Sequence, residues 1–252
     1  MNEMKFMIFK GFDCKLRCLV HKNQNQKAPF ALVLHPELKS AKVSPMAEKT
    51  VNSLIDNGFS VVFFDFTRET NVISDTILKK QEEMNEVISV LGLILKIFNV
   101  KNSLWMFSFG DTTNVTLQIS MRRPEITNYI LYFPPSKQKE INFVIPCSAS
   151  GLVIYEKSRE TYTKNIINKL KDKNDAKISS ISFDFENINK VENIDRVIFS
   201  VEEYFAEKVQ SYQVKKRVIK RSIRKRRRKK EEIGEVKIFK AETIKPLDLD
   251  GI

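Results

Sequence analysis

The feature that most constrains the fold is a series of short, almost wholly apolar runs separated by segments with helical periodicity. The runs are Phe30–His35, Ser60–Phe66, Leu104–Phe107, Tyr129–Phe133 and Leu152–Tyr155. A strand buried on both faces is apolar throughout, because neither of its faces meets water. Between these runs, apolar residues recur at the three- and four-residue spacing of a helix. Alternating strands and helices predict an α/β fold with a mostly parallel sheet and helices on both faces.

The start and end of the first helix are indicated by the residue types at its ends. Ser44-Pro45 supplies an N-cap and a proline in the first turn, so the helix is predicted from Pro45 to about Asn57. Gly58 follows, where a helix end favours a left-handed residue. Two short strands, Lys5–Phe9 and Lys15–Val20, are predicted to precede this α/β region.

Charge divides the chain into three predicted parts: an α/β domain over residues 1–208, a basic helical arm over 209–230, and a tail over 231–252. The net charge is +12, and the arm contains 12 of the 43 Lys and Arg residues and no Asp or Glu. The other 31 basic residues equal the 31 acidic ones in number, so the body is neutral. An arm that holds all the excess charge predicts a polyanionic partner.

Composition also limits the compartment and the cofactors. The chain has no run of 18 apolar residues and no signal-peptide pattern at its start, so we expect no membrane span. Cys14, Cys18 and Cys147 are an odd set whose spacing does not fit a zinc site, and we expect free thiols in a reducing compartment. The mitochondrial matrix and the bacterial cytoplasm both meet that condition. No metal and no cofactor are expected.

A serine lies where a strand is predicted to meet a helix. Met106-Phe107-Ser108-Phe109-Gly110 resembles the Gly-x-Ser-x-Gly nucleophile elbow, in which a strained turn presents the serine hydroxyl. The first glycine of that motif is Met106 here, which places bulk in the turn. Ser108 is therefore the candidate nucleophile of a site that departs from the motif.

The order of these segments resembles the bacterial α/β-hydrolases related to dienelactone hydrolase. The resemblance covers residues 5–208. It rests on His35-Pro36, Gly58–Arg68, Phe107–Gly110, Met121–Ile126, Phe133–Pro135, Pro146-Cys147 and Ser150–Ile154. It implies a nucleophile at Ser108, an acid after a later strand and a histidine after the last strand. The stretches that match the acid and the histidine, Glu156–Arg159 and Asp184–Asn189, supply neither that acid nor a histidine.

The base is also missing on chemical grounds. A serine hydroxyl needs a base to take its proton, and this fold orders its triad as serine, acid, histidine. The two histidines, His21 and His35, both precede Ser108. His35 follows a central strand and is the remaining candidate base, but nothing in the sequence orients its ring, so a structural role is expected for it. Lys157 would serve as a base only if it were desolvated.

The arm is predicted to bind the phosphate groups of a structured RNA or a ribonucleoprotein. Its cations are Lys215, Lys216, Arg217, Lys220, Arg221, Arg224, Lys225, Arg226, Arg227, Arg228, Lys229 and Lys230. Few aromatic residues are interspersed among them, so contact with the phosphate backbone is expected instead of base stacking.

These features predict a non-catalytic structural subunit of a ribosomal or mitochondrial-ribosomal assembly. Two alternatives remain open. One is a serine hydrolase, an esterase or amidase, that uses Ser108 with a non-standard base. The other is a pseudoenzyme scaffold that binds neighbouring proteins, with Glu235–Lys240 of the tail pairing to a partner's sheet edge.

Overall fold

The computed structural model describes residues 4–10, 15–25, 27–35, 44–65, 85, 87–88, 91–98, 100, 103–110, 112–134, 148–172, 178–184 and 190–208. Contacts between Cα atoms group residues 1–202 into one compact unit and residues 203–252 into another. The predicted arm and tail, and with them the predicted strand Glu235–Lys240, lie outside the described residues. The fold described below is that of the first unit and of residues 203–208.

Eight strands of this unit form one sheet. They are β1 (Lys5–Lys10), β2 (Lys15–His21), β3 (Phe30–His35), β4 (Ser60–Asp65), β5 (Leu104–Phe109), β6 (Ile126–Tyr132), β7 (Ser150–Glu156) and β8 (Ile178–Phe183). Their order across the sheet is β1-β2-β4-β3-β5-β6-β7-β8. The pairs β1/β2 and β2/β4 are antiparallel, and every pair from β4/β3 to β7/β8 is parallel. The predicted, mostly parallel sheet is confirmed.

The helices are α1 (Pro45–Asp56), α2 (residues 91–97), α3 (Thr112–Arg122), α4 (Glu160–Asp172) and α5 (residues 191–208). Residues 85, 87 and 88 are also helical, and a 3-10 turn, Lys157–Arg159, precedes α4. Ser44 is the N-cap of α1, as predicted, and accepts a hydrogen bond from the Ala47 amide. Gly58 has a φ of +80°, the left-handed conformation expected just past the end of the helix.

Helices cover both faces of the sheet, as predicted. On one face, core residues of α2, α3 and α4 pack with Leu34, Met106 and Leu131 of the central strands. On the other face, α1 meets the ends of the central strands, where Thr50 bonds Tyr132. Ser53 of α1 donates a hydrogen bond to Glu202 of α5, at a distance of 2.5 Å. Among the described residues, no helix is both long enough and apolar enough to cross a bilayer.

Candidate functional site

His35 ends β3, a central strand, at the edge of the sheet where the parallel strands have their carboxyl ends. Ligands of open α/β sheets bind outside this edge. The imidazole is only 5% exposed, and its Nε2 lies 3.2 Å from the hydroxyl Oγ of Ser44. Of the two candidate catalytic residues expected from the sequence, His35 is thus paired with a serine, but with Ser44 and not with Ser108.

Ser44 is placed at this edge by the start of α1. Its backbone is extended, with φ −63° and ψ 142°, and the next residue, Pro45, begins the helix. The Ala47 N–H donates to Ser44 Oγ over 3.2 Å. The positive end of the helix dipole at this point favours negative charge on that oxygen. The hydroxyl therefore lies within hydrogen-bond reach of an imidazole nitrogen, and its oxygen accepts from a backbone N–H group.

Aromatic rings hold the imidazole in place. The His35 ring centroid lies 5.7 Å from that of Phe109 and 6.1 Å from that of Phe63. Phe109 in turn stacks on Tyr132, with centroids 4.4 Å apart and planes within 10°. A ring packed on two sides has few rotamers left, so the entropy lost on holding it beside Ser44 is small.

Tyr132 is structural in this arrangement. Burial raises the pKa of its phenol, and the hydrogen bond from Thr50 opposes that rise. The Thr50 hydroxyl lies 3.3 Å from the phenol oxygen and 2.8 Å from the carbonyl oxygen of Met46, and these two acceptors share its single hydrogen. The phenol therefore stays protonated at neutral pH and ties the end of β6 to α1.

Ser108 lies inside β5 and not in a turn. Its register partners are Leu34 on β3 and Leu131 on β6, both on the sheet face covered by α2, α3 and α4. His35 follows Leu34 and therefore lies on the opposite face, since successive residues of a strand alternate. The Ser108 side chain is fully buried, and its Oγ has no hydrogen-bond partner among the described residues. The structure therefore does not bring Ser108 and His35 together.

The strained position of the strand-to-helix turn is occupied by Gly110, whose φ is +52°. The Gly110 amide donates to the carbonyl of Tyr132 over 2.9 Å. Just beyond it, the hydroxyl of Thr112 accepts from the Phe109 amide and lies 3.0 Å from the carbonyl oxygens of Leu34 and Phe109, which share its single hydrogen. The predicted elbow differs from the structure because β5 continues to Phe109, two residues further than the apolar run suggested.

The surroundings of Lys157 argue against its acting as a base. It lies in the 3-10 turn after β7, its side chain is 62% exposed, and it pairs with Asp184 at 3.8 Å. A lysine acts as a base near neutral pH when it is desolvated, and this one is not. Glu156, the last residue of β7, pairs with Arg159 at 3.4 Å.

The remaining predicted site residues are the 12 cations of the arm, from Lys215 to Lys230, and all lie outside the described residues. No group of three or more His, Cys, Asp or Glu side chains within the described ranges is arranged to hold a metal ion. Within the described residues, the candidate catalytic side chains therefore lie at the carboxyl end of β3.

No known family model matches the chain. It is 25% identical over 219 residues to an uncharacterized protein of Rickettsia prowazekii, a match that covers 80% of this chain and 85% of that protein. The solved structure of a candidate alpha/beta hydrolase from Agrobacterium tumefaciens superposes with a TM-score of 0.72 and 21% identity, over 82% of this chain and 97% of that one.

Two further structures have the same fold. A lidless α/β serine hydrolase of Xanthomonas campestris gives a TM-score of 0.61 at 15% identity, covering 81% of this chain and 94% of its own. Dienelactone hydrolase of Anabaena variabilis gives 0.65 at 12% identity, covering 81% and 97%. The predicted resemblance is confirmed, and the fold is that of the α/β-hydrolases.

These neighbours correct the function predicted from the sequence. One is a candidate hydrolase, one a serine hydrolase and one a dienelactone hydrolase, so the prediction of a non-catalytic structural subunit that binds RNA is wrong and the hydrolase alternative fits better. The ribosomal and mitochondrial setting has no support from them. The predicted RNA partner followed from the charge of the arm, and that charge carries no information about the chemistry of residues 1–208.

Sequence reasoning also missed the pairing of Ser44. It placed this serine correctly as an N-cap but did not connect it to His35, nine residues earlier. The available signal was topological. A helix that follows a parallel strand begins near the carboxyl edge of the sheet, so its N-cap and the last residue of the strand can meet there.

Proposed function

We propose that the chain is a serine hydrolase that cleaves carboxylic esters, with Ser44 as the nucleophile and His35 as its general base. The observation that supports this most directly is the Ser44 Oγ to His35 Nε2 distance of 3.2 Å at the carboxyl edge of the sheet. A serine within hydrogen-bond reach of an imidazole is the minimum arrangement for nucleophilic catalysis by a hydroxyl. Ser108 does not have this arrangement.

The reaction follows from that geometry in two steps. Ser44 Oγ bonds to the carbonyl carbon of the ester while its proton passes to His35 Nε2. The C–O bond to the alcohol then breaks, and the alcohol leaves with that proton, which gives an acyl-serine. Water next adds to the acyl carbon, His35 takes the water's proton and returns it to Ser44 Oγ, and the carboxylic acid leaves.

We also propose that this reaction takes place in the bacterial cytoplasm. The sequence relative belongs to a bacterium. The chain has three cysteines, an odd number that cannot all be paired in disulfides within the chain, which suits a reducing compartment.

The assay uses the purified full-length chain with p-nitrophenyl acetate and a fluorophosphonate probe. The variants are Ser44→Ala, Ser44→Asn and Ser108→Ala. Alanine removes the N-cap as well as the hydroxyl and costs about 1 kcal/mol of stability, whereas asparagine removes the hydroxyl and keeps a good cap. Ser44→Asn therefore separates the loss of a nucleophile from the loss of a helix cap.

We expect one probe per wild-type chain, attached to Ser44. Both Ser44 variants should lose labelling and at least about three powers of ten in kcat, as when a member of a catalytic triad is removed. Ser108→Ala should keep both. Labelling that survives in Ser44→Asn and disappears in Ser108→Ala would contradict the assignment of Ser44. A wild-type chain with neither turnover nor labelling would contradict the hydrolase proposal itself.

A further inference from the structure

We infer that the chain forms a symmetric dimer in which the edge strand β8 pairs antiparallel with β8 of a second copy, while a groove beside that edge takes an aromatic side chain from the same copy. β8 is the last strand in the order across the sheet, and among the described residues β7 is the strand that pairs with it. The backbone N–H and C=O groups on its other side are the kind of template on which a further strand adds.

The two edges of the sheet differ in how they are protected against such pairing. Proteins protect an edge strand with charged residues, a proline or a bulge. β1, at the opposite edge, has a lysine at each end, Lys5 and Lys10, so two copies of β1 would bring like charges together. β8 has the sequence Ile-Ser-Ser-Ile-Ser-Phe, without charge or proline, and it pairs with β7 residue for residue without a bulge. β8 is therefore the edge that is open to a second copy.

A mostly apolar groove lies beside this edge, between β8 and α5. It has a volume of about 420 Å³ and is lined by Phe183 of β8 and by Asp195, Arg196, Phe199 and Ser200 of α5. Phe199 is 60% exposed, and Val191, two helical turns earlier on the same side of α5, is 62% exposed. Large apolar side chains grouped at the surface in this way mark an interaction site.

The chemistry of this surface suits a second copy of the chain. Across a two-fold axis a patch meets its own counterpart, so it must be complementary to itself. β8 has no charge that would repel its counterpart, and Asp195 and Arg196 offer each copy one acid and one base along the groove. Phe199 both lines the groove and protrudes from it, so the same ring serves as the wall in one copy and as the anchor in the other.

The direction of pairing follows from the symmetry. A two-fold axis perpendicular to the sheet makes the two β8 strands antiparallel, and antiparallel strands pair without any crossover connection. The dimer therefore joins two sheets into one continuous sheet, and the unpaired side of β8 gains hydrogen-bond partners.

The test is the sedimentation velocity of the purified full-length chain over a range of concentrations, for the wild type and three variants. Ser180→Lys puts a charge on the exposed edge of each β8, and Phe199→Ser removes the ring from the groove. The matched control is Ile8→Lys, because Ile8 is a 66% exposed apolar residue on the opposite edge strand. Circular dichroism checks that each variant is folded.

We expect the wild type to dimerise, and Ser180→Lys and Phe199→Ser each to raise the dimer Kd by at least about tenfold. Like charges oppose each other across paired strands, and a central aromatic anchor carries much of the energy of an interface. Ile8→Lys should dimerise as the wild type does. Independently of any variant, amide hydrogen exchange of residues 178–183 in the wild type should slow as its concentration rises, since the outward N–H groups gain acceptors.

A wild type that stays monomeric, with exchange at β8 independent of concentration, would overturn the inference. A dimer that persists in both variants without protection of β8 would place the interface elsewhere and overturn it as well. So would a monomer whose β8 amides become protected only when a different protein binds, because that result assigns the edge to another partner.

Discussion

Ser44 and Ser108 carry the same hydroxyl in opposite surroundings. Ser44 lies at a helix start, accepts an amide hydrogen bond and faces an imidazole. Ser108 lies within a central strand, among apolar residues that leave its Oγ unpartnered within the described structure. A buried hydroxyl without a partner costs stability, and a hydroxyl without a base is a poor nucleophile. Local chemistry, not the sequence motif, distinguishes the two.

We predict that Ser108→Ala stabilises the fold by about 1 kcal/mol, because it removes a buried polar group that forms no bond. The matched control is Thr112→Val, which removes another buried hydroxyl of almost the same size. That hydroxyl accepts from the Phe109 amide and shares its hydrogen between two carbonyls, so its loss should cost about 1–3 kcal/mol. Urea unfolding of both variants measures the difference. Destabilisation by Ser108→Ala as large as that of Thr112→Val would show that Ser108 has a partner.

At the scale of elements, the sequence predicted the frame of the molecule and missed the details of one junction. The buried strands and the caps of α1 follow from apolar runs and local turn chemistry, which act over a few residues. The end of β5 does not, because Ser108 and Phe109 are held in the strand by pairing with Leu131 and Tyr132 of β6. Those partners are more than 20 residues away, and no local pattern contains them.

The pairing of Ser44 with His35 escaped prediction for the same reason. Each residue was placed correctly on its own element, the serine before α1 and the histidine at the end of β3. Their contact depends on how the helix returns to the edge of the sheet. The candidate site thus depends on how α1 packs against the sheet. The sequence alone predicts only the position of each residue on its own element.

Packing between neighbouring strands gives a prediction at this scale. On β7, a Cβ added at Gly151 would lie 2.3 Å from the ring of Tyr129, a fully buried residue of β6, so the ring or a strand must shift. Gly151→Ala should therefore cost about 1–3 kcal/mol. Gly92 of α2 has no atom within 4 Å of an added Cβ, so Gly92→Ala should stabilise by up to about 1 kcal/mol through helix propensity.

Thermal unfolding of the two glycine variants checks both signs. A Gly151→Ala variant as stable as the wild type would mean that β6 and β7 adjust their spacing freely, against the close packing expected of a sheet centre. The Gly92 variant controls for the general effect of replacing glycine, which reduces the freedom of the unfolded chain in both cases.

At the scale of the whole molecule, chemistry and charge belong to different segments. The proposed site uses residues of the first compact unit, whereas the 12 uncompensated cations lie between residues 209 and 230. The sequence located that charge correctly but assigned the function of the protein from it. A charged segment determines what a protein approaches, and the site determines what it converts.

If the charge of the arm and the catalytic chemistry are separate, one variant should lose binding to polyanions and keep its esterase activity. Replacing all 12 Lys and Arg of residues 209–230 by glutamine leaves equal numbers of basic and acidic residues in the chain. For p-nitrophenyl acetate, a neutral ester, kcat/KM should stay within about twofold of wild type, because the field of the arm's charges does not steer a neutral substrate. Elution from a heparin column should move to much lower salt, since fewer counterions are exchanged on binding a polyanion. A tenfold fall in kcat/KM on the neutral ester, with the fold intact by circular dichroism, would place the arm in the catalytic machinery and contradict this division.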